Sequence, residues 1–200
     1  MPLRGGICTR NTNNRGSSRW FGLGLVVAVA CGTIIPAATV RAAVAGKPRS
    51  VKAFITAYGY ADNSPPGRAI AHPCVHEVAG GTGTFKDPVT FATDVREVGW
   101  CQKIYVPFMK RYFIHEDECV ECDHDWAKLH RYRFDMWAGG DSSSNRNPER
   151  AALFACENTW TRANSVNDRN NPAITINPKP GLPVTTARIF SPPQACWKKQ

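Results

Sequence analysis

No acidic side chain occurs in the first 45 residues of this 200-residue chain, whereas the remainder carries all 16 Asp and Glu. In the same stretch Arg4, Arg10, Arg15 and Arg19 precede an apolar run over residues 21–35. A basic start followed by a short apolar run, with no acid, marks a secretory signal peptide. The run lacks the continuity of a membrane span, which needs ~20 apolar residues, because Gly22, Gly24, Gly32 and Pro36 interrupt it. No stable membrane span is expected. The stretch closes on Ala43-Val44-Ala45, a small-x-small cleavage pattern, so residues 1–45 are expected to be removed before Gly46 and the protein to act outside the cell. Lipid attachment at Cys31, after Ala28-Val29-Ala30, is the alternative, although the usual leucine three residues before the cysteine is missing.

Other absences narrow the field further. No Gly-Lys-Ser/Thr ending follows the glycines at residues 80–84, so they read as tight turns rather than a phosphate loop. No repeat of fixed period and no heptad pattern is present, which excludes solenoids and coiled coils. Five of the 25 Lys and Arg lie in the leader, leaving 20 basic against 16 acidic residues in the mature chain. The basic excess that would argue for nucleic acid is more than halved with the leader, and no nucleic-acid partner is expected. The remaining length suits one domain with its own core, expected to be monomeric.

Six cysteines survive cleavage: Cys74, Cys101, Cys119, Cys122, Cys156 and Cys196. An even number in an exported chain reads as disulfides. Six cysteines allow ~15 pairings, and only Cys74 with Cys101, one at each end of a single excursion, stands out as a pair.

Residues 46–52 read as a polar linker and residues 53–200 as the domain. Strands are expected at 53–58, 88–92, 103–107, 112–116, 132–137, 174–177 and 185–190, where β-branched and aromatic residues concentrate between turn formers. A helix is expected over 148–159, with Asn147 as cap, Pro148 in the first turn, and Ala151, Ala152, Leu153 and Cys156 on its apolar face. A charged loop is expected between Cys122 and residue 132. Many short strands with one or two short helices and long loops point to a small closed barrel that is mainly β.

The most specific order of features is an apolar strand at 112–116, then Asp117-Glu118-Cys119-Val120-Glu121-Cys122, then Arg133-Phe134-Asp135-Met136-Trp137. It resembles the double-psi β-barrel superfamily of RlpA-like proteins, expansins, barwin-like domains and family 45 endoglucanases, whose members show an Asp-x-Cys turn and a later strand bearing the acid most important for activity. Thr56-Ala57-Tyr58-Gly59-Tyr60 is similar to the Thr-x-Tyr strand that opens these barrels and lines their groove. The segments 62–67, 81–92 and 105–107 resemble those of uncharacterised secreted proteins of filamentous bacteria and fungi. The resemblance covers residues 53–140 and implies a six-stranded double-psi β-barrel. It places Asp117 and Asp135 at the active positions and Thr56 and Tyr58 in the groove; Asp62, six residues after Thr56 where the endoglucanase pattern has its base four after, and Trp137 are further candidates for substrate binding. Arg133 stands where expansins have histidine, and the chain has no second carbohydrate-binding domain.

A carboxyl on a barrel strand serves polysaccharide chemistry because the glycosidic oxygen must be protonated as its bond breaks. Hydrolysis with inversion needs a second carboxylate roughly 6.5–9.5 Å away, and Asp62 is the one early candidate. A lytic transglycosylase needs only one acid/base, since the sugar's own 6-hydroxyl attacks, which tilts an enzymatic reading towards peptidoglycan. The expected partner is a cell-wall polysaccharide, peptidoglycan or a cellulose- or chitin-like glycan. The alternatives are a non-catalytic expansin- or barwin-like binding or defence protein, and a barrel reused for a small molecule. Trp100, Trp126, Trp137 and Trp160 could stack on sugars, with one of the four expected to be exposed. His115, Glu116, Asp117, Cys119, Cys122, His124, Asp125 and His130 crowd together, yet no second Cys-x-x-Cys or His-x3-His pair completes a zinc site, so neither a metal nor a cofactor is assigned.

Secreted protein is therefore expected to begin at Gly46 and to gain no mass on alkylation until reductant is added. Intact mass spectrometry checks both, and any alkylation of the unreduced chain would refute three disulfides.

Overall fold

Short runs of β-branched and aromatic residues become strands throughout residues 46–162 and 165–198, the part of the chain that the computed structural model describes. The leader, its cleavage site and Cys31 lie outside the described residues. Six strands form the barrel: β1 (Arg49–Gly59), β2 (Val89–Ala92), β3 (Lys103–Val106), β4 (Arg111–Asp117), β5 (Tyr132–Gly139) and β6 (Ala173–Ile176). Their order is β1-β6-β3-β4-β2-β5, and β5 pairs back onto β1 to close the ring. The β1/β5 and β2/β4 pairs are parallel and the other four pairs around the ring are antiparallel. Closure removes the open edges that would otherwise template aggregation.

Ile55, Phe91, Phe113, Phe134 and Met136, all fully buried, meet in one core cluster. Each contributes roughly 1.5–3 kcal/mol of burial free energy. Two helices flank the barrel. α1 (Val120–Leu129) occupies the stretch expected to be a charged loop. Cys119 caps it by accepting from the Cys122 N–H, and Glu121 and Asp123 in its first turn and Lys128 in its last complement the helix dipole. Its charge pattern is thus that of an exposed helix. α2 (Glu149–Trp160) lies within one residue of the expected span. Pro148 takes the cap position without a side-chain bond, so Asn147 does not cap it. Leu153 and Cys156 are buried as expected and Ala152 packs half-buried beside them, but Ala151 is exposed, and Glu157 and Trp160 complete the buried face.

Two further expectations are corrected. β1 begins at Arg49, inside the supposed linker, because residues 49–52 find an antiparallel partner in β6, from Arg49 opposite Ile176 to Lys52 opposite Ala173. The strand expected at 185–190 reduces to the short hairpin β7 (Phe190–Ser191) and β8 (Ala195–Cys196). Thr185 is tied by its backbone N–H to the Lys110 carbonyl at 2.9 Å, and the stretch before it is held by side chains. Tyr105 Oη donates to the Pro183 carbonyl at 2.7 Å and Tyr112 Oη to that of Lys179 at 2.8 Å, so the proline-rich tail is strapped across β3 and β4 without a ladder.

Cys74 bonds Cys101, as expected, and Cys119 bonds Cys122 and Cys156 bonds Cys196. The loops they close span 27, 3 and 40 residues. In the chain-entropy picture the two long closures contribute roughly 3–4 kcal/mol each and the short one much less.

The segment between β1 and β2 has little regular structure, and one buried carboxylate organises it. Glu116 Oε1 accepts the N–H groups of Cys74, Val75 and His76 at 3.2, 2.7 and 3.0 Å. Its Oε2 takes Thr90 Oγ1 at 3.0 Å and His76 Nδ1 at 2.7 Å, and His76 Nε2 reaches Asp87 at 2.9 Å. A ring flanked by two carboxylates is held as imidazolium. Burial alone would lower the His76 pKa, but the two acids outweigh it and the net shift is upward. Burial acts in the opposite direction on Glu116 and Asp87, and their hydrogen bonds leave both lowered.

The raised histidine stabilises the fold fully below its unfolded pKa, ~6.5, and progressively less as pH rises through its folded value. The lowered carboxylates stabilise it above ~4.3 and are lost as pH falls. The clamp's own contribution to thermal stability is therefore expected to peak between about pH 4.5 and 6.5. His76→Ala is expected to flatten that peak and, at about 2 kcal/mol for the lost network, to lower Tm by about 4–8 °C. Calorimetry from pH 3 to 9 checks it; an unchanged pH profile would show that the clamp carries no stability.

Candidate functional site

Four strands contribute one residue each to a single row across the barrel. Ala92, the last residue of β2, is in register with Asp117 on β4 and with Asp135 on β5, and Asp135 is in register with Thr56 on β1. The two aspartates are thus two strand spacings apart, ~10 Å at the backbone, with a small buried alanine between them. A bulge helps to aim them: Phe91 pairs with His115 but Ala92 with Asp117, so Glu116 is the extra residue of β4. His115 is buried with both ring nitrogens against backbone carbonyls, Glu116 enters the clamp, and Asp117 enters the row.

Above this row lies a groove of about 670 Å³. Thr56, Tyr58, Asp62, Asp117 and Asp135 all line it, so five of the six catalytic and binding positions expected from the sequence converge. Trp137 does not. It is buried and packs edge-on beneath the Tyr58 ring at 5.3 Å, because two residues further along β5 the chain has passed the groove floor. Trp160 is also buried and Trp100 and Trp126 are half-buried, so none of the four tryptophans is fully exposed.

Asp135 is half-buried. Its Oδ1 accepts from Thr56 Oγ1 at 2.8 Å, and its Oδ2 accepts from no described residue. Desolvation pushes its pKa up to about 7; the Thr56 hydrogen bond and the Arg133 guanidinium oppose the rise, and the charges of Asp62 and Glu121 add to it. A carboxyl balanced near neutrality with one oxygen free can give and take a proton at physiological pH. Asp117 is differently placed. Its Oδ1 accepts the N–H groups of Ala71 and Glu118 at 3.1 and 3.0 Å, and its Oδ2 accepts Tyr58 Oη at 2.8 Å. With both oxygens engaged it orients Tyr58 and the groove wall. Asp62 is exposed at the rim, with Oδ1 accepting the Gly59 N–H at 2.6 Å, and burial of part of its carboxyl raises its pKa.

Three contributors carry no signal in the resemblance. Glu118, in the turn after β4, and Glu121, in the first turn of α1, line the groove. Glu157 arrives from α2 beneath Gly59, where a Cβ on the glycine would stand 2.7 Å from its Oε1. Burial, reinforced by the charges of Asp62 and Asp135, pushes Glu157 to about 9, so it is protonated at neutral pH. Only its exclusion from the solvent face of α2 could have revealed it. The groove holds five carboxyl groups, Asp62, Asp117, Glu118, Glu121 and Asp135, against the single cation Arg133.

The donors that crowd the sequence at 115–130 are committed to different tasks, with Cys119 and Cys122 bonded to each other. His72, Cys74 and Cys101 bring ligand-type atoms within 4.8 Å of one another, but both thiols are consumed by their mutual disulfide.

A family model described as the DDB_G0273701 N-terminal domain matches residues 50–197. That range holds all six barrel strands but the first residue of β1, both helices, the six disulfide-bonded cysteines and the groove. Among curated proteins, "Uncharacterized protein DDB_G0273701/DDB_G0273221" of Dictyostelium discoideum is 40% identical over 91 residues, 46% of this chain and 40% of that protein. The match spans about two fifths of the length of that relative. No solved structure matches the chain significantly.

Because the Thr56 hydrogen bond holds Asp135 down against desolvation, Thr56→Val is expected to move the Asp135 midpoint above 7. Carboxyl-carbon NMR across pH 4–10 reads it directly. A midpoint that stays put or falls would mean that Thr56 does not tune the acid.

Proposed function

The chain belongs to the family of the DDB_G0273701 N-terminal domain, and from the chemistry of its groove we propose that it is a secreted protein acting on cell-wall polysaccharide, with Asp135 as the general acid. The observation that carries this is a groove carboxyl balanced at about 7 with one oxygen unengaged. Secretion is supported by three disulfides, which persist in oxidising compartments. Among the described residues no helix is long and apolar enough to cross a membrane. Kinship with RlpA-like proteins and expansins is supported by the closed ring with its parallel β1/β5 and β2/β4 pairs, and by the Asp-x-Cys turn that leads into α1.

Protonated Asp135 would deliver its proton to the glycosidic oxygen as the bond to the anomeric carbon breaks. The resulting carboxylate would take the proton of the incoming nucleophile, either the sugar's 6-hydroxyl, which closes an anhydro ring, or water. The 6-hydroxyl route needs no second base. That suits a site whose other inner carboxylate, Asp117, is already engaged by three donors. Five acids against one arginine disfavour an anionic polymer and suit a neutral or amine-bearing glycan. The saturation of Asp117 also favours a second reading, a non-catalytic groove that binds the polymer without cutting it.

The test is incubation with chitin, cellulose and peptidoglycan, followed by mass analysis of released fragments. Turnover is expected to fall as pH rises through about 7, where Asp135 loses its proton. Asp135→Asn should lose at least ~10²-fold in turnover with Tm within about 2 °C of the parent. Release that survives the substitution would remove Asp135 from the chemistry, and binding without release would select the second reading.

A further inference from the structure

The barrel has a second cleft, at the end of β4 and β5 away from the groove. β4 runs from Arg111 at one end to Asp117 at the other, and β5 runs the opposite way from the Asp135 end to Gly139. Arg111 and Gly139 line a cleft of about 360 Å³ that shares no residue with the groove. Its charge is also reversed: three guanidiniums, Arg68, Arg111 and Arg188, face one carboxylate, Asp141.

Asp141 makes no ion pair with any of them. Its Oδ1 is taken by the Ser143 N–H at 2.8 Å and Oγ at 2.6 Å, bonds internal to the turn that it caps. Arg188 is exposed and pairs with no described residue. Arg68 spends Nε and Nη2 on the Ala79 carbonyl. Arg111 is the informative one. It is 1% exposed, yet no described carboxylate lies within ion-pair distance. Its Nη2 donates to the Ala187 carbonyl, its guanidinium lies 4.6 Å from the centre of the Trp197 ring, and its Nε is sealed from solvent with no acceptor. Burial pulls its pKa down to about 10, which still leaves it charged at neutral pH.

An unpaired buried cation is costly, and an anion seated in the cleft that Arg111 lines would offset its charge without having to reach the sealed Nε. The planar forks of arginine match oxyanions of carboxylate or phosphate geometry. At Gly81, which also lines the cleft, φ is +100° and a Cβ would stand 2.0 Å from the Pro88 oxygen, so no side chain can project there.

We propose that this cleft is a second binding site, which takes a carboxylate- or phosphate-bearing group through Arg111 and Arg188. It is independent of the groove's chemistry, since the two ends share no lining residue and are opposite in sign.

The test titrates the purified protein with inorganic phosphate and, separately, with acetate, each against sodium chloride of matched ionic strength, by calorimetry and thermal shift. Saturable binding of at least one anion is expected; phosphate alone assigns a phosphate group, and acetate binding assigns a carboxylate. Arg188→Ala, an exposed change that leaves the fold intact, should weaken binding at least ~10-fold, the scale of one lost charged contact. Arg111→Met keeps the stem and removes the charge, so it should abolish binding while leaving the anion-free Tm unchanged or higher. Stabilisation no greater than that of chloride, or undiminished binding by Arg188→Ala, overturns the site. A fall in the anion-free Tm of Arg111→Met, with anion response intact, would also overturn it and make Arg111 a packing residue. Should that variant not fold, Arg188→Glu decides the matter, since reversing the charge must eliminate binding.

Discussion

The pairing of β1 with β5 is what the remainder of the molecule depends on. It is a parallel contact between segments far apart in the chain, from Ala53 opposite Tyr132 to Gly59 opposite Gly139. It closes the ring of six strands, and in the same register it sets Thr56 beside Asp135. Closure and site are therefore one event: a slip of one residue would turn every side chain of β5 to the other face and take Asp135 out of the groove. The loop-closure entropy of so distant a contact must be met elsewhere. Two long-range disulfides and the Glu116 clamp supply restraints of that kind.

The clamp and the groove share β4. His115, Glu116 and Asp117 are consecutive and all buried, yet they serve three different surroundings. The bulge at Glu116 permits this, since a regular strand offers only two faces. The result couples the loop that walls the groove to a histidine whose charge depends on pH, while the acid in the groove titrates near 7 for a separate reason, desolvation.

Buried ionisable groups without full partners gather around β1, β4 and β5. Glu97 accepts the Arg133 N–H with one oxygen and nothing with the other, and burial pushes it to about 9. Glu157 is similarly raised under Gly59. Arg111 is the cationic counterpart at the opposite end. Neutralisation solves the problem for the two glutamates; the arginine cannot shed its proton near neutral pH and needs a counter-charge from outside.

The six barrel strands, the second helix and the Cys74–Cys101 pair were legible in the amino-acid order because each rests on local chemistry: β-branched and aromatic runs, proline and glycine punctuation, and a cysteine at each end of one excursion. The convergence of Thr56, Tyr58, Asp62, Asp117 and Asp135 was legible only through resemblance, since nothing local joins residues so far apart. Trp137 misled for the same reason. Its position two residues after Asp135 is plain, but whether that position faces a ligand or a neighbouring ring is set by Tyr58 across the β1/β5 seam. The charged stretch after Cys119 reads as a loop, and becomes an exposed helix once the cysteine's own sulfur caps it. Glu157 beneath Gly59 and Arg111 beneath Trp197 were decided by tertiary structure alone. A side chain's exposure, and hence the cost of its charge, depends on which distant backbone covers it, and that is settled only when the ring closes.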